Sequence, residues 1–124
     1  MGSGKILVVD DNDVVRSIVA EMLARLGYDV SSADSGESGF GAFLRNKFDI
    51  VLSDYEMPRM DGVAFACSIK KHTPGLPVVI MTGSGKEDMI AQNSHVVDRV
   101  TTKPFTLEEI DAVIQSFSVS ALVA

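Results

Sequence analysis

Cysteine is nearly missing from this sequence. Cys67 is the only one, so no disulfide framework can form within the chain, and a reducing cytoplasm is the natural setting. Tryptophan is absent and aromatics make up 6% of residues, which leaves any core to aliphatic side chains. Cations are scarce as well. Eleven Lys and Arg stand against seventeen Asp and Glu, for a net charge of −6. That balance argues against direct nucleic-acid binding by this domain, because gripping a phosphate backbone takes clustered positive charge. No apolar run reaches the roughly 18 residues of a membrane span, and no secretory signal opens the chain. Residues 1–4 read as a flexible leader, since Ile6 stands where a myristoylation start requires Ser or Thr. The two histidines, His72 and His95, lack metal-ligand spacing and read as surface groups.

What is present is a strongly alternating pattern. The 124 residues, 46% of them apolar, suit a single domain over 1–124. KILVV at 5–9, IVL at 50–52 and PVVIM at 77–81 are short, β-branched, uninterrupted apolar runs, as expected of strands buried on both faces. YDVSSA at 28–33 is a more polar strand suited to a sheet edge, and a fifth strand is expected over 99–102. Helical patterns lie between them. The first is capped by Asn12 or Asp13 and has Val15, Ile18, Val19, Met22 and Leu26 on its apolar face. The second opens on an Asp34–Glu37 capping box and is weakened by Gly36, Gly39 and Gly41. The third carries Val63, Phe65, Ala66 and Ile69, and a short polar fourth covers about 86–93. The last is capped by Thr106 with Glu109. Five strand–helix units predict an α/β, flavodoxin-like (βα)5 three-layer sandwich. Its five-stranded parallel sheet takes the order 2-1-3-4-5, with the switch point between the first and third strands.

Parallel strands all present their C-terminal ends on one edge, which is where open α/β sheets bind ligands. The residues following the strands there are Asp10-Asp11, Asp54, Thr82-Gly83 and Lys103-Pro104. Each alone is commonplace: an acid can cap a helix, and a lysine can simply be solvated. Together, one after each appropriate strand, they make a site. Three gathered carboxylates repel one another and require a cation, and oxygen ligands without His or Cys select Mg²⁺ or a similar hard ion. A lysine and a hydroxyl facing a metal-bound carboxylate suit a transferring phosphoryl group, with Asp54 as its nucleophile.

The stretches ILVVDDND, FDIVLSDYEMPRMDG, VVIMTG and TTKPF, in this order and spacing, resemble the CheY-like receiver domain of two-component response regulators over nearly the whole chain. The resemblance implies a phosphorylation-controlled switch. Asp54 would accept phosphate from a histidine kinase or a histidine phosphotransfer protein, and Mg²⁺ would be held by Asp11, Asp54 and the Glu56 backbone carbonyl, with Asp10 acting through water. Thr82 and Lys103 would contact phosphoryl oxygens, and Lys103-Pro104 would be cis. Catalysis would be limited to the domain's own phosphotransfer and dephosphorylation. The output would leave through the surface around the fourth helix, fifth strand and fifth helix, toward a partner the sequence does not identify. A phosphorylation-linked homodimer stays open.

There are departures from the family pattern. Val100 replaces the aromatic usually found three residues before the lysine, and Val96-Val97 replaces a small Gly-Ala pair. A β-branched valine is stiff at χ1 and cannot swing a ring between two positions, so the moving element is expected in the Gly83–Asn93 segment instead. By the same resemblance, Glu56 and Ser84 would flank the phosphoryl group, at positions that vary in the family. The runner-up reading is a Mg²⁺-dependent phosphohydrolase with an aspartyl nucleophile of the haloacid-dehalogenase type. That class needs a second Asp two residues after the nucleophile, where Glu56 stands. An FMN-binding flavodoxin would need a hydroxyl- and glycine-rich loop after the first strand in place of two acids. Gly85-Lys86 is followed by Glu87 and cannot form a Walker loop, which requires Ser or Thr there.

Overall fold

The computed structural model describes residues 4–83 and 85–123, with side chains through residue 117. Most of the expected leader and Ser84 lie outside the described residues. Five strands alternate with five helices: β1 (Lys5–Val9), α1 (Asp13–Arg25), β2 (Asp29–Ala33), α2 (Gly36–Arg45), β3 (Ile50–Asp54), α3 (Gly62–His72), β4 (Val78–Thr82), α4 (Glu87–Ala91), β5 (Arg99–Thr102) and α5 (Leu107–Val123). The sheet has the expected order β2-β1-β3-β4-β5, and every pairing is parallel.

The uninterrupted apolar strands are explained by two cores. Side chains alternate across a sheet, so Leu7, Val9, Val51, Val78 and Ile80 pack with Phe43, Phe65, Ala66, Ile69 and Ile90 under α2, α3 and α4. Ile6, Val8, Ile50, Leu52, Val79 and Met81 pack on the other side with Val19 and Leu23 of α1 and Ile110 and Ile114 of α5. A polar residue at either parity would face one of these cores without a partner, so both parities are apolar. β2 has one neighbour and only Ala33 buried, in keeping with its polar sequence.

Local details depart from the sequence reading in two places. In α2 the cap is Ser35, whose side chain accepts from Ser38 N at 3.0 Å, instead of Asp34. Gly39 is there for closeness: a Cβ would lie 2.8 Å from Val9 Cγ2 and 3.2 Å from Phe65, so the helix can pack tightly on the sheet only without one. On α1 the expected core residue Ile18 is 54% exposed, and Leu23 is buried in its place. The helix is turned so that Val19 and Leu23, four apart, face the sheet. Thr106 and Glu109 do form the expected reciprocal box, with N-to-side-chain distances of 2.7 and 3.1 Å. Val96 and Val97 are both buried beside Ile90, filling space that smaller residues would leave beneath α4.

Candidate functional site

The strand ends bring the predicted residues together. Asp10 follows β1 directly and is held to the edge of β2 by its N–H, which donates to Ala33 O at 3.1 Å. Asp54 ends β3, Thr82 ends β4, and Lys103 follows β5 with its N–H on Thr82 O at 2.7 Å. The Lys103-Pro104 peptide is cis. Behind Asp54, the first residue of α3 passes so close that a Cβ on Gly62 would fall 2.5 Å from the Asp54 carbonyl oxygen. A residue without a side chain is therefore required where the loop returns to the sheet.

Asp10, Asp11 and Asp54 each present a carboxylate oxygen, all within 4.8 Å of one another. Asp10 is fully buried and Asp54 is 6% exposed, while Asp11 sits at the exposed mouth of the cluster. Lys103 reaches in from β5, its Nζ 2.9 Å from Asp54 Oδ1 and 3.5 Å from Asp10 Oδ2. Burial raises the Asp54 carboxyl above its ordinary value, and the charges of Asp10 and Asp11 push the same way. The Lys103 hydrogen bond opposes them without prevailing. Burial would lower the Lys103 ammonium, but its bond to Asp54 and the nearby acidic charges outweigh that and raise it. Burial leads for Asp54, whereas for Lys103 the surrounding carboxylates overcome burial.

Two atoms report what the pocket is built to receive. Among the described residues, Asp10 Oδ2 and Thr82 Oγ1 are buried side-chain atoms with no hydrogen-bond partner. Asp10 Oδ2 has only the longer 3.5 Å ion pair to Lys103, and a buried hydroxyl without a partner costs about 1–3 kcal/mol. One is a carboxylate oxygen suited to a cation or its water, and the other is a hydroxyl that can donate to an anionic oxygen. The donor set is all oxygen, as a hard divalent ion prefers, so the residues fit Mg²⁺ together with a phosphoryl group.

The rim carries contacts that sequence reasoning missed. Lys86 Nζ pairs with Glu56 Oε2 at 2.7 Å and sits 5.5 Å from the Tyr55 ring centre. That pairing lowers the Glu56 carboxyl and raises the Lys86 ammonium. Glu87 accepts from Gly85 N at 2.7 Å and from Thr102 Oγ1 at 2.9 Å. The start of α4 is thus tied both to the loop after Asp54 and to the residue before Lys103. Partners 30 and 15 positions apart leave no local pattern to read. On the far rim, Val15, Ile18, Val19, Met22, Pro104 and Phe105 line an apolar groove of about 330 Å³, with Lys103 in its wall. His72 is an exposed side chain edge-on to Phe40 and Phe43, far in sequence from exposed His95; neither is among the clustered ligands.

Comparison with known proteins agrees with this geometry. The family model for the response regulator receiver domain matches residues 6–115. A probable chemotaxis protein CheY from Rhizobium etli is 30% identical over 116 residues, which is 90% of each chain. The transcriptional regulatory protein RprY from Bacteroides fragilis is 33% identical over 107 residues, 86% of this chain and 45% of that protein. This chain therefore spans about half of some curated relatives and nearly all of others. Among solved structures, a response regulator receiver domain protein from Clostridium thermocellum superposes with a TM-score of 0.88 at 30% identity, covering 97% and 98% of the two chains. The response regulator TrrA from Thermotoga maritima, in complex with Mg²⁺ and BeF, gives 0.83 at 28% identity over 91% and 97%.

Proposed function

The chain belongs to the response regulator receiver family, and from that premise we propose that Asp54 is its phosphoacceptor, served by Asp10, Asp11, Thr82 and Lys103. The single observation that carries the assignment is the buried Asp54 carboxylate, bonded to Lys103 and clustered with two further acids. One oxygen of Asp54 attacks the phosphorus of a phosphohistidine, the P–N bond breaks, and its electron pair stays on the imidazole nitrogen of the donor. Lys103 faces the charge that collects on the phosphoryl oxygens, and the unpartnered Thr82 hydroxyl turns to donate to one of them. Asp11, Asp54 and the Glu56 carbonyl would hold Mg²⁺, with Asp10 acting through a water. Mg²⁺ supplies the positive charge that lets a dianionic phosphoryl group approach three carboxylates. The chemistry is the domain's own phosphotransfer and its reversal by water, in the service of signalling.

The donor proposed is a histidine kinase or histidine phosphotransfer protein. Its histidine must come within bonding distance of Asp54, so its surface must cover the rim. The groove beside Lys103, with Ile18 54% exposed in its lining, offers that surface an apolar seat. No described helix is long and apolar enough to cross a membrane.

Incubation with a small phosphodonor and Mg²⁺ tests the assignment. One phosphoryl group is expected on the wild type and none on Asp54→Asn. Steady turnover of phosphate monoesters would instead favour the phosphohydrolase reading.

A further inference from the structure

Arg16 lies one turn into α1, and its side chain is 19% exposed. Its Nη1 donates to the Asp10 backbone carbonyl at 2.9 Å, and its Nη2 donates to Asp13 Oδ1 at 2.7 Å. The Asp10 carbonyl belongs to the peptide that joins Asp10 to Asp11. A fixed donor on that oxygen sets the rotation of the peptide plane, and with it the direction in which the Asp11 side chain leaves the backbone. The same short loop is held from its other side. Asn12 N donates to Asp10 Oδ1 at 2.9 Å, and the Asn12 side chain caps α1 by accepting from Val15 N at 3.0 Å. Arg16 closes the network, because a planar fork can hold a carbonyl and a carboxylate at once, which a lysine's single ammonium does less well.

The charge of Arg16 is answered by Asp13, and charge does not explain the bond to the Asp10 carbonyl. A guanidinium beside a cation site repels the cation it adjoins. Its value must then be geometric: it keeps the two adjacent acids aimed into the pocket.

We propose that Arg16 is a positioning residue for the divalent-cation site, fixing the Asp10–Asp11 peptide so that both carboxylates face the pocket. The inference rests on the reading of Asp10, Asp11 and Asp54 as that site. Positioning and charge predict opposite signs. If charge dominated, removing Arg16 would tighten cation binding; if positioning dominates, it weakens it. The two metals also separate positioning from general damage. Mg²⁺ demands near-ideal octahedral geometry, whereas Ca²⁺ accepts flexible coordination.

The experiment is calorimetric titration of the metal-free protein with Mg²⁺ and, separately, Ca²⁺, for wild type, Arg16→Met and Arg16→Lys. Arg16→Met is expected to lose about tenfold or more in Mg²⁺ affinity, the scale of partners that orient metal ligands. Its Ca²⁺ affinity should fall less, so selectivity for Mg²⁺ drops, and Arg16→Lys should lie between. Unchanged or tighter Mg²⁺ binding by Arg16→Met would overturn the proposal, as would an equal proportional loss for both metals. A wild type that binds neither metal would overturn the cation-site reading itself, and the positioning role with it.

Discussion

Lys103→Met is the substitution whose consequence the geometry specifies most fully. Lys103 Nζ stands 2.9 Å from Asp54 and 3.5 Å from Asp10, which at an effective dielectric of 20 corresponds to attractions of about 5.7 and about 4.7 kcal/mol. The Asp10 and Asp54 oxygens lie within 4.8 Å of each other, a repulsion of at least about 3.5 kcal/mol on the same scale. These gross values are reduced by relaxation and water, and removing one partner of a buried pair nets about 3–5 kcal/mol. Methionine keeps the length of the side chain but not its charge. In chelator the variant should therefore lose about 3–5 kcal/mol, a fall in Tm of about 10–20 °C for a domain of this size. Mg²⁺ brings positive charge back to the same carboxylates, so saturating Mg²⁺ should recover more than half of the loss. Acidification should also shrink it, because a protonated Asp54 needs no counter-charge. Thermal melts of wild type and variant, with chelator and with Mg²⁺, measure both effects. An identical Tm difference with and without Mg²⁺ would refute the reasoning, since it would mean that Lys103 and the metal do not answer the same charges.

Asp54→Asn should melt higher than wild type in metal-free buffer at neutral pH. The folded-state carboxyl is raised, chiefly by burial, so the fold favours its protonated form, and that contribution to stability is lost as pH rises through the folded pKa. The advantage of the uncharged amide should accordingly close as pH falls toward the ordinary carboxyl value of 3.8, and a gap that widens in acid would contradict it. Ile18→Glu should slow phosphoryl transfer from a protein phosphohistidine donor by about tenfold, the effect of about 1.4 kcal/mol, while leaving transfer from a small phosphodonor unchanged. Equal slowing with both donors would remove the groove from the docking account. Amide hydrogen exchange with and without a beryllofluoride mimic should show its largest change between Gly85 and Asn93. α4 is a single short helix with one buried residue, Ile90, and its polar ties run to Glu56 and Thr102 beside the site. An unchanged segment there would reject this route for the signal.

The architecture was legible because a sheet covered on both faces demands apolar residues at both parities, and Ile6 to Val9 or Val78 to Met81 can serve little else. The gathering of Asp10, Asp11, Asp54, Thr82 and Lys103 followed from topology alone, since parallel strands in this order end on one edge. Other features were hidden for physical reasons. Ile18 has helical spacing with Val15 and Met22, and spacing cannot tell a residue that faces the sheet from one that faces an open groove. Ser35 and Asp34 are both competent caps, and only the backbone angle at residue 35 decides between them. Arg16 could be paired with Asp13 from their separation of three residues, but its bond to the Asp10 carbonyl uses a main-chain atom that every residue has. The Glu56–Lys86 and Glu87–Thr102 ties join loops that meet only once the sheet is assembled.

The central claim is that the phosphoryl group resides on Asp54, and its position can be read directly. Phosphorylating the protein with a small donor and Mg²⁺, then reducing with borohydride, converts an aspartyl phosphate to homoserine at the modified residue. Peptide mass spectrometry should find homoserine at position 54 and unmodified Asp at positions 10 and 11. Homoserine at either of those two, or phosphorylated protein that yields no homoserine at 54, would contradict the assignment.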